Sequence, residues 1–100
     1  MIHVVAILTA KPGQRAAVLE HFQANVPAVH AEAGCIEYGA ATDVETMGTA
    51  AYGPDTFVVI EKWESEDHLK AHAAAPHMKA YSAKVKDMMA NRVVHVLRPV

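Results

Sequence analysis

The spacing of apolar residues changes repeatedly along this chain, and each change marks an element. The opening stretch IHVVAILTA is apolar at both parities, with Ile2, Val4, Ala6 and Leu8 on one side and Val5 and Ile7 on the other. That pattern predicts a strand buried on both faces. Pro12 and Gly13 break it, and from Gln14 to about His30 the apolar positions Val18, Leu19, Phe22, Val26 and Val29 recur at helical spacing, with Pro27 placed to kink or shorten the last turn. Gly34 then reads as a helix cap or turn, and CIEYGAA as a short strand with Ile36 and Tyr38 on one face.

Residues 42–55 carry no period and are expected to form a loop that is either mobile or a lid over a pocket. Period two returns from Phe57 to Trp63. Ser65 is a good N-cap, and Glu66 and Asp67 place negative charge where a helix N-terminus favours it. Pro76 should interrupt this helix, and a further one carrying Met78, Tyr81, Val85 and Met88 on one stripe should run to about Ala90. RVVHVLRPV closes the chain as a fourth strand. The order of elements predicts one α+β domain over residues 1–100, a ferredoxin-like split β-α-β arrangement in which an antiparallel sheet carries helices on one face.

Helices cover only one side of such a sheet, yet the first strand and the Phe57–Trp63 strand are apolar on both. Left in water, the second face would expose a larger apolar patch than soluble monomers usually tolerate. We therefore expect a homodimer with the sheets packed face to face, the alternative being that loops cover the edges. Charge adds an exclusion: nine Lys and Arg are scattered among eleven acids, for a net charge of −2, so no basic stripe tracks a phosphate backbone and nucleic acid is not an expected partner. The start lacks a basic segment and cleavage site, and no apolar run approaches the roughly 20 residues of a membrane span. A cytoplasmic protein without a membrane partner is expected. The single cysteine, Cys35, excludes an internal disulfide and a thiolate metal cage, leaving a buried thiol or a reactive one.

The chemistry-bearing residues gather around FVVIEKWESEDHLKAH, residues 57–72. Glu61 interrupts an apolar strand face, and a buried carboxylate requires a partner, whether a basic side chain, a histidine or a substrate hydroxyl. Trp63 shares its parity and offers a flat apolar ring with one N–H donor, useful equally for packing and for holding an aromatic substrate. His68 and His72 stand one helical turn apart, at metal-pair spacing, but no third ligand is indicated and His68 is expected at the surface. His72 lies beside Leu69 on the inward face, where an imidazole is suited to proton transfer near neutral pH or simply to bonding a backbone carbonyl. His30, His77, Tyr81 and Tyr38 flank the same region. No phosphate-cradling glycine pattern or nucleophile elbow is present, so no cofactor is expected.

EAGCIEY at 32–38, FVVIEKWESEDHLKAH and APHMKAY at 75–81, with the KPG turn near the start, together resemble the antibiotic biosynthesis monooxygenase superfamily, in its small quinol-monooxygenase-like branch. The resemblance spans nearly the whole chain; the 42–55 loop looks longer than the family minimum. It implies a dimeric α+β barrel with a substrate pocket in each subunit, and oxidation of a small phenol or quinol by O2 without metal or flavin. The family's strand glutamate, tryptophan and helix histidine fall on Glu61, Trp63 and His72 as catalytic residues. His77 matches a second helix histidine, and Tyr38, Tyr81 and Phe22 join it as expected substrate contacts. Haem-degrading relatives use a first-strand asparagine that this strand lacks. On the same fold, an isomerase or lyase acting on a small carbonyl compound, or a dimeric ligand binder without catalysis, remain rival readings.

Overall fold

The computed structural model describes all 100 residues. Strands β1 (Ile2–Ala10), β2 (Cys35–Ala41), β3 (Thr56–Trp63) and β4 (Met89–Leu97) form one antiparallel sheet in the order β2-β3-β1-β4. Helices α1 (Arg15–His30), α2 (Glu66–Ala74) and α3 (Pro76–Val85) complete the expected ferredoxin-like α+β architecture.

Local chemistry explains the boundaries. Ser65 Oγ accepts the backbone N–H of His68 at 3.2 Å, capping α2. Ala75 is extended, ending α2 and starting α3, because Pro76 disfavours helical backbone before it and fits the first helical position after it. Pro27 does not break α1: the helix continues to His30, and Pro27 O accepts the N–H of Ala31 at 3.1 Å.

Two expectations about the elements need correction. The last helix ends at Val85 rather than near Ala90, and β4 begins at Met89 after a tight 3-10 turn over Lys86–Met88. Pairing causes this: Lys11 N donates to Met88 O at 2.8 Å and Ala10 lies opposite Met89, so β1 draws the segment into the sheet. Ile36 does not share a face with Tyr38, because the register shifts between Cys35 and Glu37 and leaves Ile36 53% exposed. The 42–55 loop contributes no side chain to the main cavity described below. Its base is tied instead by Asp43, whose carboxylate accepts the N–H groups of Tyr52 at 3.0 Å and Gly53 at 2.9 Å; these bonds hold its carboxyl below the ordinary range.

The core lies between the sheet and the helices. Val4, Ala6, Phe57, Val59 and Trp63 meet Val18, Phe22 and Val29 of α1 and Val85 of α3. The opposite face carries Val5 against Ile60 and His95, and Ile7 against Val58 and Val93. Ile60 and Val93 on that face are each 40% exposed.

Gly34 forms the turn from α1 into β2 with φ +82°, and the His68 ring occupies the space a side chain would need. His68 is accordingly half-buried and its Nδ1 lies 2.7 Å from Ser65 Oγ, in place of the surface position expected. Gly34→Ala should cost at least about 1–2 kcal/mol from the left-handed backbone alone, with displacement of His68 added. Thermal unfolding should therefore move down by about 4–8 °C per kcal/mol lost; an unchanged midpoint would show that the turn relaxes freely.

Candidate active site

The helices leave the β4 end of the sheet open. A cavity of about 600 Å³ lies between the sheet and α2 and α3, with Val4, Ala6 and Val59 from the strands and Leu69, Met78 and Tyr81 from the helices. At its β4 side Val94 and Val96 are 38% and 55% exposed, which gives a small molecule an entrance. Most lining residues are apolar, with Glu61, His72, Lys70, Lys79, Ser82 and Arg92 as the polar groups among them.

Glu61 and His72 both line this cavity, and both are buried. Strand alternation carries Glu61 and Trp63 onto the helix-facing side together, and the indole N–H of Trp63 donates to Glu61 Oε1 at 2.9 Å. The carboxyl thus finds its partner two residues along its own strand. Trp63 is completely buried and does not line the cavity; its ring packs on His72, centroids 4.6 Å apart. The direct substrate contact expected of Trp63 is therefore unavailable, because its donor is already engaged and its ring is covered. His72 Nε2 lies 3.9 Å from Glu61 Oε1, too far for a direct hydrogen bond.

Burial raises the Glu61 carboxyl above its ordinary range, with Glu32 adding to the rise and the Trp63 bond, His72 and Arg92 opposing it. The folded state thus binds a proton that the unfolded chain releases more readily. Glu61's contribution to stability is intact below about pH 4 and declines as pH rises through its elevated value. Glu61→Gln, which retains an oxygen to accept the indole N–H, should flatten that decline in a series of melting temperatures against pH. Parallel curves for the two proteins would contradict the raised carboxyl.

Glu32, given no role from the sequence, completes the cluster. The turn after α1 fixes it: Glu32 N donates to Val29 O at 3.0 Å, and its own carbonyl accepts Cys35 N at 3.3 Å. Its Oε2 lies 2.8 Å from His72 Nδ1 and 2.8 Å from His77 Nε2. Neither Glu32 nor His77 lines the cavity, so His77 stands behind His72 and is not placed as a substrate contact.

The remaining expected contacts are brought together. Phe22, Tyr38 and Tyr81 all line the cavity, Phe22 stacking on Tyr38 at 5.2 Å and meeting Tyr81 edge-on at 6.2 Å. Burial pushes the Tyr81 phenol up to about 12 and raises Tyr38 still further, so both remain hydroxyl donors at neutral pH. His30 is spent on the fold, its Nε2 lying 2.9 Å from Tyr38 O. Burial, then the Glu32 and Glu61 carboxylates, raises the Cys35 thiol and disfavours the reactive thiolate. No group of three or more His, Cys, Asp or Glu side chains is arranged to hold a metal ion, and no helix is long and apolar enough to cross a membrane.

Comparison with known proteins places this geometry in context. Residues 1–84 match the family model described as antibiotic biosynthesis monooxygenase. The "Probable quinol monooxygenase YgiN" of Escherichia coli is 41% identical over 102 residues, covering 99% of this chain and 98% of that protein. The crystal structure of PA3566 from Pseudomonas aeruginosa superposes with a TM-score of 0.84 at 25% identity, covering 99% of this chain and 93% of the other. Rv0793 from Mycobacterium tuberculosis gives 0.83, also at 25% identity, covering 99% and 94%.

Proposed function

The chain belongs to the antibiotic biosynthesis monooxygenase family, and from that premise we propose that it oxidises a small phenol or quinol with O2, without a cofactor, in the cavity beside β4. The observation that carries this reading is His72, which lines a mostly apolar cavity with its Nδ1 2.8 Å from the Glu32 carboxylate and its Nε2 3.9 Å from cavity-lining Glu61. A ring of hydroquinone size fits a volume of about 600 Å³ with room for dioxygen.

His72 removes a phenolic proton, and the resulting electron-rich anion passes one electron to O2. Recombination of the ring radical with superoxide forms the new C–O bond. One oxygen atom remains on the ring and the other leaves as water; a hydroquinone thereby gives a hydroxyquinone, the four electrons coming from the ring and its two hydroxyls. The Tyr38 and Tyr81 hydroxyls are donors for the oxyanion, and the apolar walls keep its charge from being dispersed by water. Glu61 meets the substrate hydroxyl beside His72, while Trp63 acts through Glu61.

Oxygen uptake with a panel of substituted hydroquinones, in chelator and without added cofactor, tests the proposal. Labelled O2 should leave one heavy oxygen in each product molecule. Absence of uptake across the panel, with aromatic compounds still bound, would favour the non-catalytic binder.

The outer sheet face supports a second copy as partner, since Val5, Ile7, Val58, Ile60 and Val93 form a continuous apolar surface by register. Sedimentation should give a dimer, and Ile60→Lys should shift it toward monomer. A monomeric parent chain would overturn this part of the proposal.

A further inference from the structure

Two histidines from different helices converge on one oxygen of a glutamate that does not touch the cavity. We propose that Glu32 is a positioning residue: it holds His72 in the Nδ1–H tautomer, which leaves the Nε2 lone pair free on the cavity side. His77 is the second donor that pins the glutamate. The inference rests on the proposed reaction for its catalytic meaning, but not for its geometry.

A carboxylate oxygen only accepts hydrogen bonds. Both ring nitrogens at 2.8 Å from Glu32 Oε2 must therefore carry hydrogen, and a neutral His72 with its proton on Nδ1 has none on Nε2. Nε2 is also the nitrogen nearer Glu61, a cavity-lining residue, at 3.9 Å. The nitrogen able to accept a proton thus faces the substrate space, and the opposite nitrogen is occupied. With the tautomers reversed, His72 would present an N–H to the cavity and could not act as a base there.

Access supports the same assignment. The side chains of His72, Glu32 and His77 are 6%, 13% and 29% exposed, so the cluster runs from the cavity wall toward the surface. Water competes little for the His72–Glu32 bond. A glutamate with one donor is free to rotate its carboxylate toward solvent; the second donor on the same oxygen removes that freedom. The backbone is held as well, because the Gly34 turn and the bond from Glu64 N to Gly34 O at 2.9 Å tie this corner to the residue that follows β3. When His72 receives a proton, the imidazolium already lies against an anion in place, so little reorganisation is needed. Base and orienting carboxylate have the relation known from hydrolase triads, here without a nucleophile.

Nitrogen-15 NMR of the histidine rings in the full-length protein reads the tautomer directly, whether or not a substrate is turned over. In the parent chain His72 should show a protonated Nδ1 and a lone pair on Nε2. Glu32→Gln can turn an amide N–H toward Nδ1, so the Nε2–H form should become populated, with kcat down about 10–100-fold, the range for lost outer-layer partners of a functional histidine, and KM changed less than about 3-fold. His77→Ala should lower kcat less, and His77→Gln, which restores an N–H donor, should recover part of that loss. An Nε2–H tautomer in the parent chain, or Glu32→Gln with unaltered tautomer and kcat, would overturn the assignment. If the parent chain takes up no oxygen, the reaction reading falls while the tautomer still decides this one.

Discussion

His72→Ala should abolish most oxygen uptake, lowering kcat by about 10²–10⁴-fold, the range that general-base catalysis contributes. No other side chain at the cavity combines an imidazole with a backing carboxylate: His77 and Glu32 lie behind the wall, and His68 is engaged with Ser65. The substitution also removes the ring on which Trp63 and Tyr38 pack, at 4.6 and 5.4 Å, so reduced stability must be separated from lost chemistry. His72→Gln serves that purpose, since its amide N–H can still reach toward Glu32 while providing no base. Both variants should fold by circular dichroism and bind aromatic ligand, and neither should consume oxygen in an electrode assay. Exogenous imidazole should restore part of the rate in the alanine variant by entering the vacated space. Retention of more than about a tenth of the activity in His72→Gln would reduce His72 to a satisfied core histidine.

The largest loss of stability is expected at Trp63. It is completely buried and sits between the sheet and His72. Trp63→Ala should cost about 3–5 kcal/mol from lost packing and the cavity left behind, a large part of the roughly 5–15 kcal/mol available to a small domain. It also leaves Glu61 without its indole donor. A fall in melting temperature of roughly 12–40 °C follows at about 4–8 °C per kcal/mol. Trp63→Phe separates packing from hydrogen bonding. Because the indole bond lowers the Glu61 carboxyl against burial, its loss should raise that group further. The sign follows: stability of Trp63→Phe should fall more steeply than that of the parent as pH rises above the carboxylate range. Equal slopes would mean that water or another side chain replaces the indole.

Much of this arrangement is written locally. Alternation places Glu61 and Trp63 on one strand face, and Ser65 with Leu69 sets the phase that turns His72 inward. These features need only neighbours within one or two turns. Glu32 is different: it lies 40 residues from His72 and 45 from His77, and its role exists only once the Gly34 turn, α2 and α3 meet. Its turn is readable, but its partners are not. The same reason displaced the start of β4. Met78, Tyr81, Val85 and Met88 do have helical spacing, yet pairing with β1 outweighs the local pattern after Val85. Trp63 shows a finer limit, for spacing gives its direction but not which acceptor takes its single proton.

The clasp that Asp43 makes on Tyr52 and Gly53 also bears on how the chain can be altered. It closes the segment over itself, so residues 45–50 form an outer arc whose ends are already held together. Extra residues spliced into that arc would enlarge a loop without pulling on the strands, at an entropic cost near 0.6 kcal/mol for each doubling of length. None of those positions contributes to the cavity wall. A reporter peptide or affinity handle belongs there rather than at the α1–β2 corner, where one added methyl group already meets His68.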